Sequence, residues 1–341
     1  MFHMREIIKK RNELSLTQKE LSKIAKVPLN FVRELEKKEI NLKFTEEKKL
    51  HLTRIAICLG LDPIKILQNF NLAFIDVKNA YYEEEIKGKK EIYFNSWEGF
   101  FNYYLDNIFS QLKKELIWRG QENRNWLLQS TLTRMNSEEG FDERVIEILI
   151  NNFRDYLKGR KEAINIEHIE GNNSTDSCEN KFLTLGQHYG LKTPLLDWTL
   201  SPFIATFFAF SNPSYNLRDY RVIYAINKVK LIDMLEKLNK VESDVSVKIW
   251  EESTHFNPRL INQQGLFIYG PLKGDLESWI LKSWEELQET GNILYKFFIP
   301  NNQRSKIMAF LNVMNINPNT LFPDISGAAQ SANLNFEIDS Y

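Results

Sequence analysis

The stretch that most constrains the fold is residues 186–210, which read GQHYGLKTPLLDWTLSPFIATFFAF. Its second half predicts a buried helix, because Ser201 and Pro202 are typical of a helix start and the residues after them are apolar on every face. Its first half places polar and aromatic side chains directly ahead of that helix: Gln187, His188, Tyr189, Asp197 and Trp198. Buried polar groups need hydrogen-bond partners, so this half is either bonded internally or the wall of a site.

The composition is that of a globular protein. The chain has 341 residues, enough for two domains, with 43% apolar and 26% charged residues. Aromatic residues make up 13%, which allows a large core or an aromatic-lined pocket. With two cysteines, no signal peptide and no apolar run near the roughly 20 residues of a membrane helix, we expect a cytoplasmic protein.

Charge is distributed unevenly along the chain. Residues 1–70 carry 15 Lys and Arg against 9 Asp and Glu, a net +6, whereas the remainder carries −7. A small basic module on an acidic body suggests that only residues 1–70 meet nucleic acid. The composition changes at residues 71–92, which we interpret as a charged, partly helical linker, and we expect the second domain to span residues 93–341.

The basic module contains the sequence SLTQKELSKIAKVPLNFVRELEKK at residues 15–38. This sequence resembles the helix-turn-helix of the Xre/Cro family, and the resemblance implies an all-α domain that binds double-stranded DNA as a homodimer. It also implies a list of DNA-binding residues: Gln18, Leu29, Asn30, Arg33 and Glu34. In the other interpretation, these helices pack on the second domain or dimerise without contacting DNA.

The second region mixes strands and helices without regular βαβ alternation. Apolar runs predict strands near residues 115–118, 221–226, 265–269 and 293–299. Helical spacing occurs at 97–112, 140–165, 277–290 and 302–313, and residues 170–180 read as a polar loop. The predicted fold class is therefore an all-α helix-turn-helix domain followed by a larger α+β domain.

Four ordered segments of the second region resemble the FRG domain, which is named for an aromatic-Arg-Gly motif. They are IWRGQ at 117–121, the stretch at 186–210, NPRLINQQGLFIYGP at 257–271 and NTLFPDISGAA at 319–329. The resemblance spans residues 93–341 and implies that the separated segments meet in space.

The same order of elements is similar to that of ADP-ribosyltransferases of the Arg-Ser-Glu kind. That similarity implies NAD as the cofactor, with Arg119 holding its pyrophosphate or ribose through forked donors. The remaining cofactor-binding candidates are Gln121, Tyr189, Thr199 and Ser201. Tyr189 or Trp198 would stack on the nicotinamide ring.

The catalytic candidates are Arg119, Gln264, Asp197 and His188. Gln264 occupies the position where the superfamily has its catalytic Glu, and an uncharged amide cannot stabilise an oxocarbenium-like transition state. Asp197 would then supply the negative charge, and His188 is the acid/base candidate that titrates near neutrality. No metal-ligand motif occurs, so we expect no metal.

Simpler structural roles exist for the same residues. Asp197 ahead of a helix fits a cap, His188 fits a structural hydrogen bond, and Arg119 fits an interior pair with Asp197. We expect a DNA-binding protein whose FRG domain transfers ADP-ribose to a nucleic acid or protein, in a toxin or phage-defence context. The alternatives are a transcriptional regulator with a non-catalytic, ligand-sensing FRG domain, or two protein-interaction modules.

Overall fold

In a computed structural model of the chain, the described residues are 2–37, 46–61, 66, 81–109, 115–136, 138–158, 175–213, 220–241, 246–250 and 258–339. The first part is helical, and the rest is a larger mixed α/β domain built on an eight-stranded sheet. This division agrees with the predicted order of a helical region before a domain of strands and helices. Among the helices that the structure describes, none has the length and apolarity needed to span a membrane.

The N-terminal region consists of four helices: α1 (Phe2–Glu13), α2 (Gln18–Ile24), α3 (Leu29–Leu35) and α4 (Glu46–Cys58). Thr17 starts α2 through a capping box with Glu20, in which each side chain accepts a backbone N–H of the other residue. Ala25 is fully buried where α2 ends, so the small side chain allows close packing with the next helix. The apolar faces of these helices thus form a small core of their own.

The strands are β1 (Tyr81–Ile86), β2 (Lys89–Phe94), β3 (Leu116–Gln121), β4 (Leu195–Thr199), β5 (Tyr220–Asn227), β6 (Lys248–Trp250), β7 (Gly265–Tyr269) and β8 (Leu294–Pro300). Their order in the sheet is β1-β2-β8-β5-β3-β4-β7-β6. The described neighbours pair antiparallel except β2 and β8, which are parallel. All eight residues of β5 are buried, so this strand lies at the centre of the domain.

The helices of the larger domain are α5 (Trp97–Tyr103), α6 (Glu143–Lys158), α7 (Thr175–His188), α8 (Pro202–Phe210), α9 (Lys228–Val241), α10 (Pro258–Asn262), α11 (Leu276–Glu286), α12 (Arg304–Val313), α13 (Pro318–Leu321) and α14 (Ile325–Asp339). Helices α9 and α11 cover one face of the central strands. Helices α5, α8 and α12 cover the other. A further apolar cluster joins α6 and α7 to β4 and β7.

The predicted charged linker differs from what the structure shows. From Tyr81 onward, this part of the chain is a β-hairpin that extends the sheet, and residues 71–80 lie outside the described residues. The charged residues of this segment are not all solvated. Lys89 forms ion pairs with Glu91 and Glu277 at 2.8 and 2.9 Å, and all three side chains are largely buried. The polar loop predicted at 170–180 was also partly wrong, since α7 begins at Thr175.

The two parts of the chain are in contact. Lys26 forms an ion pair with Glu84 of the hairpin, and Ile57 of α4 packs in the same apolar cluster as Leu128 and Val222 of the larger domain. The contact uses α4 and the turn after α2, whereas Asn30 and Arg33 on α3 remain exposed to solvent. The N-terminal helices therefore pack on the second domain while leaving this face of α3 accessible.

Candidate functional site

The candidate site lies where the hydrogen-bond ladder between β3 and β4 is short. These strands pair only through Trp118 and Thr199, whereas β3 pairs with β5 from Leu116 to Gln121. Strand β4 in turn pairs with β7 along its whole length. Strands β3, β4 and β7 are thus neighbours, and the three sequence segments meet, but the ladder between the first two is open on one side.

A cavity of about 760 Å³ lies at this opening. Its wall includes Trp118–Gln121 from β3 and Asp197–Thr199 from β4, together with side chains from α7, α8, α10 and the loop after β3. The volume falls within the range of about 300–1,000 Å³ that is typical of small-molecule sites. Unpaired strand edges leave main-chain groups without ladder partners, so the cavity wall is polar at this point.

Arg119 spans the open side of the β3/β4 ladder. Its Nη1 donates to the main-chain oxygen of Asp197 at 2.6 Å and lies 3.8 Å from the Oδ2 of the same residue. The guanidinium therefore replaces a missing ladder bond with a side-chain bond. Burial lowers the pKa of Arg119, and the nearby Asp197 opposes that shift. The side chain keeps 20% of its surface exposed, and it lines the cavity rather than the closed core.

Asp197 belongs to a chain of polar side chains at the cavity edge. Its carboxylate accepts a hydrogen bond from Gln187 Nε2 at 2.7 Å, and Gln187 Oε1 accepts one from the hydroxyl of Thr193. The Asp197 side chain is nevertheless 64% exposed. It is therefore neither a helix cap nor half of an interior ion pair, and a ligand in the cavity can reach it.

Two buried polar atoms of the wall lack partners within the described part of the chain. They are Gln121 Oε1 and Trp198 Nε1, and their residues are only 7% and 3% exposed. Arg119 Nε is buried and unpartnered among the described residues as well. Leaving such groups unsatisfied costs about 1–3 kcal/mol each. All three atoms belong to residues that line the cavity, so water or a bound molecule there can complete their hydrogen bonding.

The two hydroxyl candidates are bonded internally. Thr199 Oγ1 donates to the main-chain oxygen of Gln263 at 2.7 Å and accepts the N–H of Ser201. Ser201 caps α8 by accepting the N–H of Ile204, and it is not part of the cavity lining. Thr199 lines the cavity and fixes the turn between β4 and α8.

Two other candidates lie outside the cavity lining. Gln264 is exposed in the turn before β7, with a positive φ of 46°, and its main-chain oxygen accepts the N–H of Leu200. Tyr189 is 66% exposed and contacts the ring of His188 edge-on. Trp198 lines the cavity, but its ring packs in the apolar core and is only 3% exposed, so no ring face is available there for stacking. The stacking role predicted for Tyr189 or Trp198 therefore finds no accessible ring in the cavity at either position.

His188 ends α7 on the cavity wall. Burial lowers its pKa, and Arg259 lowers it further while Asp324 opposes the shift. Arg259 itself pairs with Asp324 and lies over the ring of Phe322, with its guanidinium carbon 5.2 Å from the ring centre. The net shift favours the neutral imidazole, which is the form that a general base needs.

Sequence reasoning missed the exposed ring of the site. Trp126 follows β3 in a loop, lines the cavity and is 50% exposed. Its position in the segment NRNWLL gave no periodic signal. Gly120 has a clearer reason: a Cβ there would lie 1.9 Å from the main-chain oxygen of Ala205, so the aromatic-Arg-Gly segment needs glycine for α8 to pack on β3.

The DNA-binding candidates divide into two groups. Gln18 is half-buried and donates to Glu36 Oε2 at 2.8 Å, and Glu36 also receives two bonds from Arg11. Asn30, Arg33 and Glu34 are exposed on α3, and Leu29 before them is half-buried.

The comparison with family models identifies one part of the chain. The FRG domain model matches residues 114–217, so this part, which contains Arg119, Asp197 and α8, is an FRG domain. The segments at 257–271 and 319–329 lie outside the match, although Arg259 and Phe322 from them line the cavity. No family model of the helix-turn-helix kind matches the N-terminal helices. No curated protein and no solved structure matches the chain.

Proposed function

We propose that the cavity of the FRG domain binds a nucleotide, and that this nucleotide is NAD. The observation that carries the proposal is the open β3/β4 ladder, around which Arg119 Nε, Gln121 Oε1 and Trp198 Nε1 are buried without partners in the described structure. A polar ligand with both donors and acceptors would satisfy all three, and a dinucleotide has both.

The described residues suggest how such a ligand would be held. Arg119 offers a guanidinium to the pyrophosphate, because forked N–H donors match phosphate oxygens. The exposed ring of Trp126 offers a stacking surface to a base. Gln121 would contact a hydroxyl or amide group through Oε1.

ADP-ribosyl transfer is the reaction that this binding mode would serve. Support comes from the adjacency of β3, β4 and β7, which carry the Arg, hydroxyl and late-strand segments of the ADP-ribosyltransferase resemblance. Asp197 and Glu122 are the carboxylates of the described lining, and Asp197 is the more exposed, at 64% against 27%. Asp197 would therefore stabilise positive charge at the ribose as nicotinamide leaves. Neutral His188 would accept the proton of the acceptor that then bonds to the ribose. Gln264 is left with a role in the turn.

Isothermal titration of the full chain with NAD tests binding, and mass analysis of released nicotinamide tests the proposed reaction. Arg119→Gln should weaken binding by at least about tenfold, because a charge-assisted bond is lost. The matched control Arg144→Gln removes an 84% exposed guanidinium outside the cavity and should bind as wild type does.

Asp197→Asn separates binding from chemistry. It should retain NAD affinity within a few-fold while nicotinamide release falls, since only a developing positive charge needs the carboxylate. Wild-type binding without any release would favour the non-catalytic, ligand-sensing alternative. Absence of NAD binding by the wild-type protein would refute the proposal.

The N-terminal helices are proposed to bind double-stranded DNA, as the resemblance to the Xre/Cro helix-turn-helix implies. Support comes from the exposed row of Asn30, Arg33 and Glu34 on α3, whose side chains are of the types that read base edges. A homodimer would double the number of contacts with DNA, because a single recognition helix makes few contacts. A gel shift with DNA from upstream of the coding sequence tests this proposal.

A further inference from the structure

A second, smaller cavity of about 260 Å³ adjoins the large one. We call it the side pocket. Five residues line both cavities and therefore form the boundary between them: Arg119, Gln129, Arg134, Gln187 and Asp197. The side pocket lies on the side of the large cavity where Arg119 spans the sheet.

The side pocket is rich in positive charge. Arg119, Arg134 and Lys192 line it, and Asp197 is the one carboxylate among its described lining residues. Arg134 and Lys192 are exposed, and neither side chain has a hydrogen bond or ion pair to any residue that the structure describes. Arg134 lies close enough to Arg119 to add to the lowering of the Arg119 pKa that burial causes. Like charges converge here without an equal number of counter-charges, which favours an anion from outside the chain.

The uncharged part of the side pocket is already bonded. Ser130 Oγ lies 2.9 Å from Thr133 Oγ1, and Thr131 Oγ1 accepts the N–H of Thr193. These bonds fix the wall and leave the cationic groups as its available donors. The volume is below the range of about 300–1,000 Å³ of whole-ligand sites, so the pocket suits one charged group rather than a whole nucleotide.

We propose that the side pocket is a phosphate subsite that continues the large cavity. A phosphate lies between Arg119, Arg134 and Lys192, and the rest of the ligand occupies the large cavity. The phosphate belongs either to the dinucleotide itself or to a phosphorylated acceptor. The proposal rests on the proposed function only for the identity of what fills the large cavity.

Titration of the full chain with inorganic pyrophosphate tests the subsite without NAD. Arg134→Gln and Lys192→Gln should each weaken pyrophosphate binding by about tenfold, because each removes a charge-assisted donor. Arg144→Gln and Lys282→Gln replace exposed cations outside both cavities and should leave binding unchanged. Thermal unfolding of every variant checks that the fold is intact.

Wild-type protein that does not bind pyrophosphate, or variants that bind it as tightly as the controls do, would overturn the subsite. A second titration in saturating NAD identifies the source of the phosphate. Competition assigns the subsite to the dinucleotide, and undiminished pyrophosphate binding assigns it to a separate acceptor. A protein that binds pyrophosphate through Arg134 and Lys192 but does not bind NAD would retain the subsite and lose only the proposed function.

Discussion

The N-terminal helices and the cavity wall use an arginine in opposite ways. Arg11 donates to both oxygens of Glu36 at 2.6 and 2.9 Å and to the main-chain oxygen of Leu16. Arg119 has one main-chain acceptor at 2.6 Å, a carboxylate at 3.8 Å and a buried Nε with no partner in the described residues. The first guanidinium is occupied by the fold, whereas the second is only partly occupied.

This difference separates structural polar groups from those available to a ligand. In the N-terminal part, the Glu36 that binds Arg11 also accepts a hydrogen bond from the amide of Gln18, so a predicted DNA-binding residue is bonded inside the module. In the FRG domain, the predicted site residue Arg119 lies beside open volume, and so does Gln121.

Gly120→Ala should have the largest effect. The added Cβ would meet Ala205 O at 1.9 Å and Ala209 N at 2.6 Å, and these main-chain atoms of α8 cannot move without shifting the helix. We expect the free energy of unfolding to fall by about 3 kcal/mol or more, measured by urea unfolding.

Gly190→Ala is the control for that change. Gly190 has a φ of 92° and nothing within 4 Å of a Cβ, so only backbone strain applies, about 1–2 kcal/mol. Equal losses for both variants would mean that contact between β3 and α8 does not explain the need for glycine in the aromatic-Arg-Gly motif.

If the N-terminal helices bind DNA as proposed, Arg33→Ala should weaken the preference for the upstream DNA over random duplex by about 1–3 kcal/mol, since Arg33 is exposed on α3 and offers forked donors to guanine. Competition gel shifts with specific and random duplexes measure that preference. Lys9→Gln, at a position with 79% side-chain exposure on α1, is the control. If Arg33→Ala binds both duplexes as wild type does, α3 is not the reading helix.

Trp126→Ala should lower NAD affinity by about tenfold, because a stacked aromatic ring contributes about 1–3 kcal/mol to base binding. Trp126→Phe should keep most of the affinity. Tyr156→Ala removes a 78% exposed ring outside the cavity and serves as the control. Affinity that is insensitive to Trp126 would leave the base elsewhere in the cavity.

The sequence predicted most of the central elements because their signals are local. The apolar run after Ser201 predicted α8, and the apolar run at 265–269 coincides with β7. The hairpin of β1 and β2 could not be predicted, because its lysines and glutamates look solvated in the sequence. Only the fold brings Glu277 of α11 within 2.9 Å of Lys89 and Lys296 of β8 within 3.8 Å of Glu91. The position of Trp126 in the cavity and the open edge of β4 toward β3 depend on long-range packing. Local sequence patterns therefore did not indicate them.

His188 should give the smallest effect, on stability against pH. The pKa of His188 is lowered in the folded protein. As the pH falls through about 6.5, the imidazole therefore binds a proton in the unfolded chain before it does so in the folded chain. Stability is therefore lost as the pH falls below about 6.5, by less than about 1 kcal/mol because the ring is partly solvated. In urea unfolding at pH 7 and pH 5, His188→Gln should lose less stability than wild type, and an equal loss would contradict this assignment.

The most direct test of the central claim is an NMR titration of the tryptophan indole N–H groups with NAD. Trp198 Nε1 and Trp284 Nε1 are both buried without a partner in the described structure, but only Trp198 lines the cavity. We expect the Trp198 resonance, assigned with Trp198→Phe, to shift on addition of NAD while that of Trp284 stays in place. If neither resonance moves at saturating NAD, the open β3/β4 ladder is not the place where the nucleotide binds.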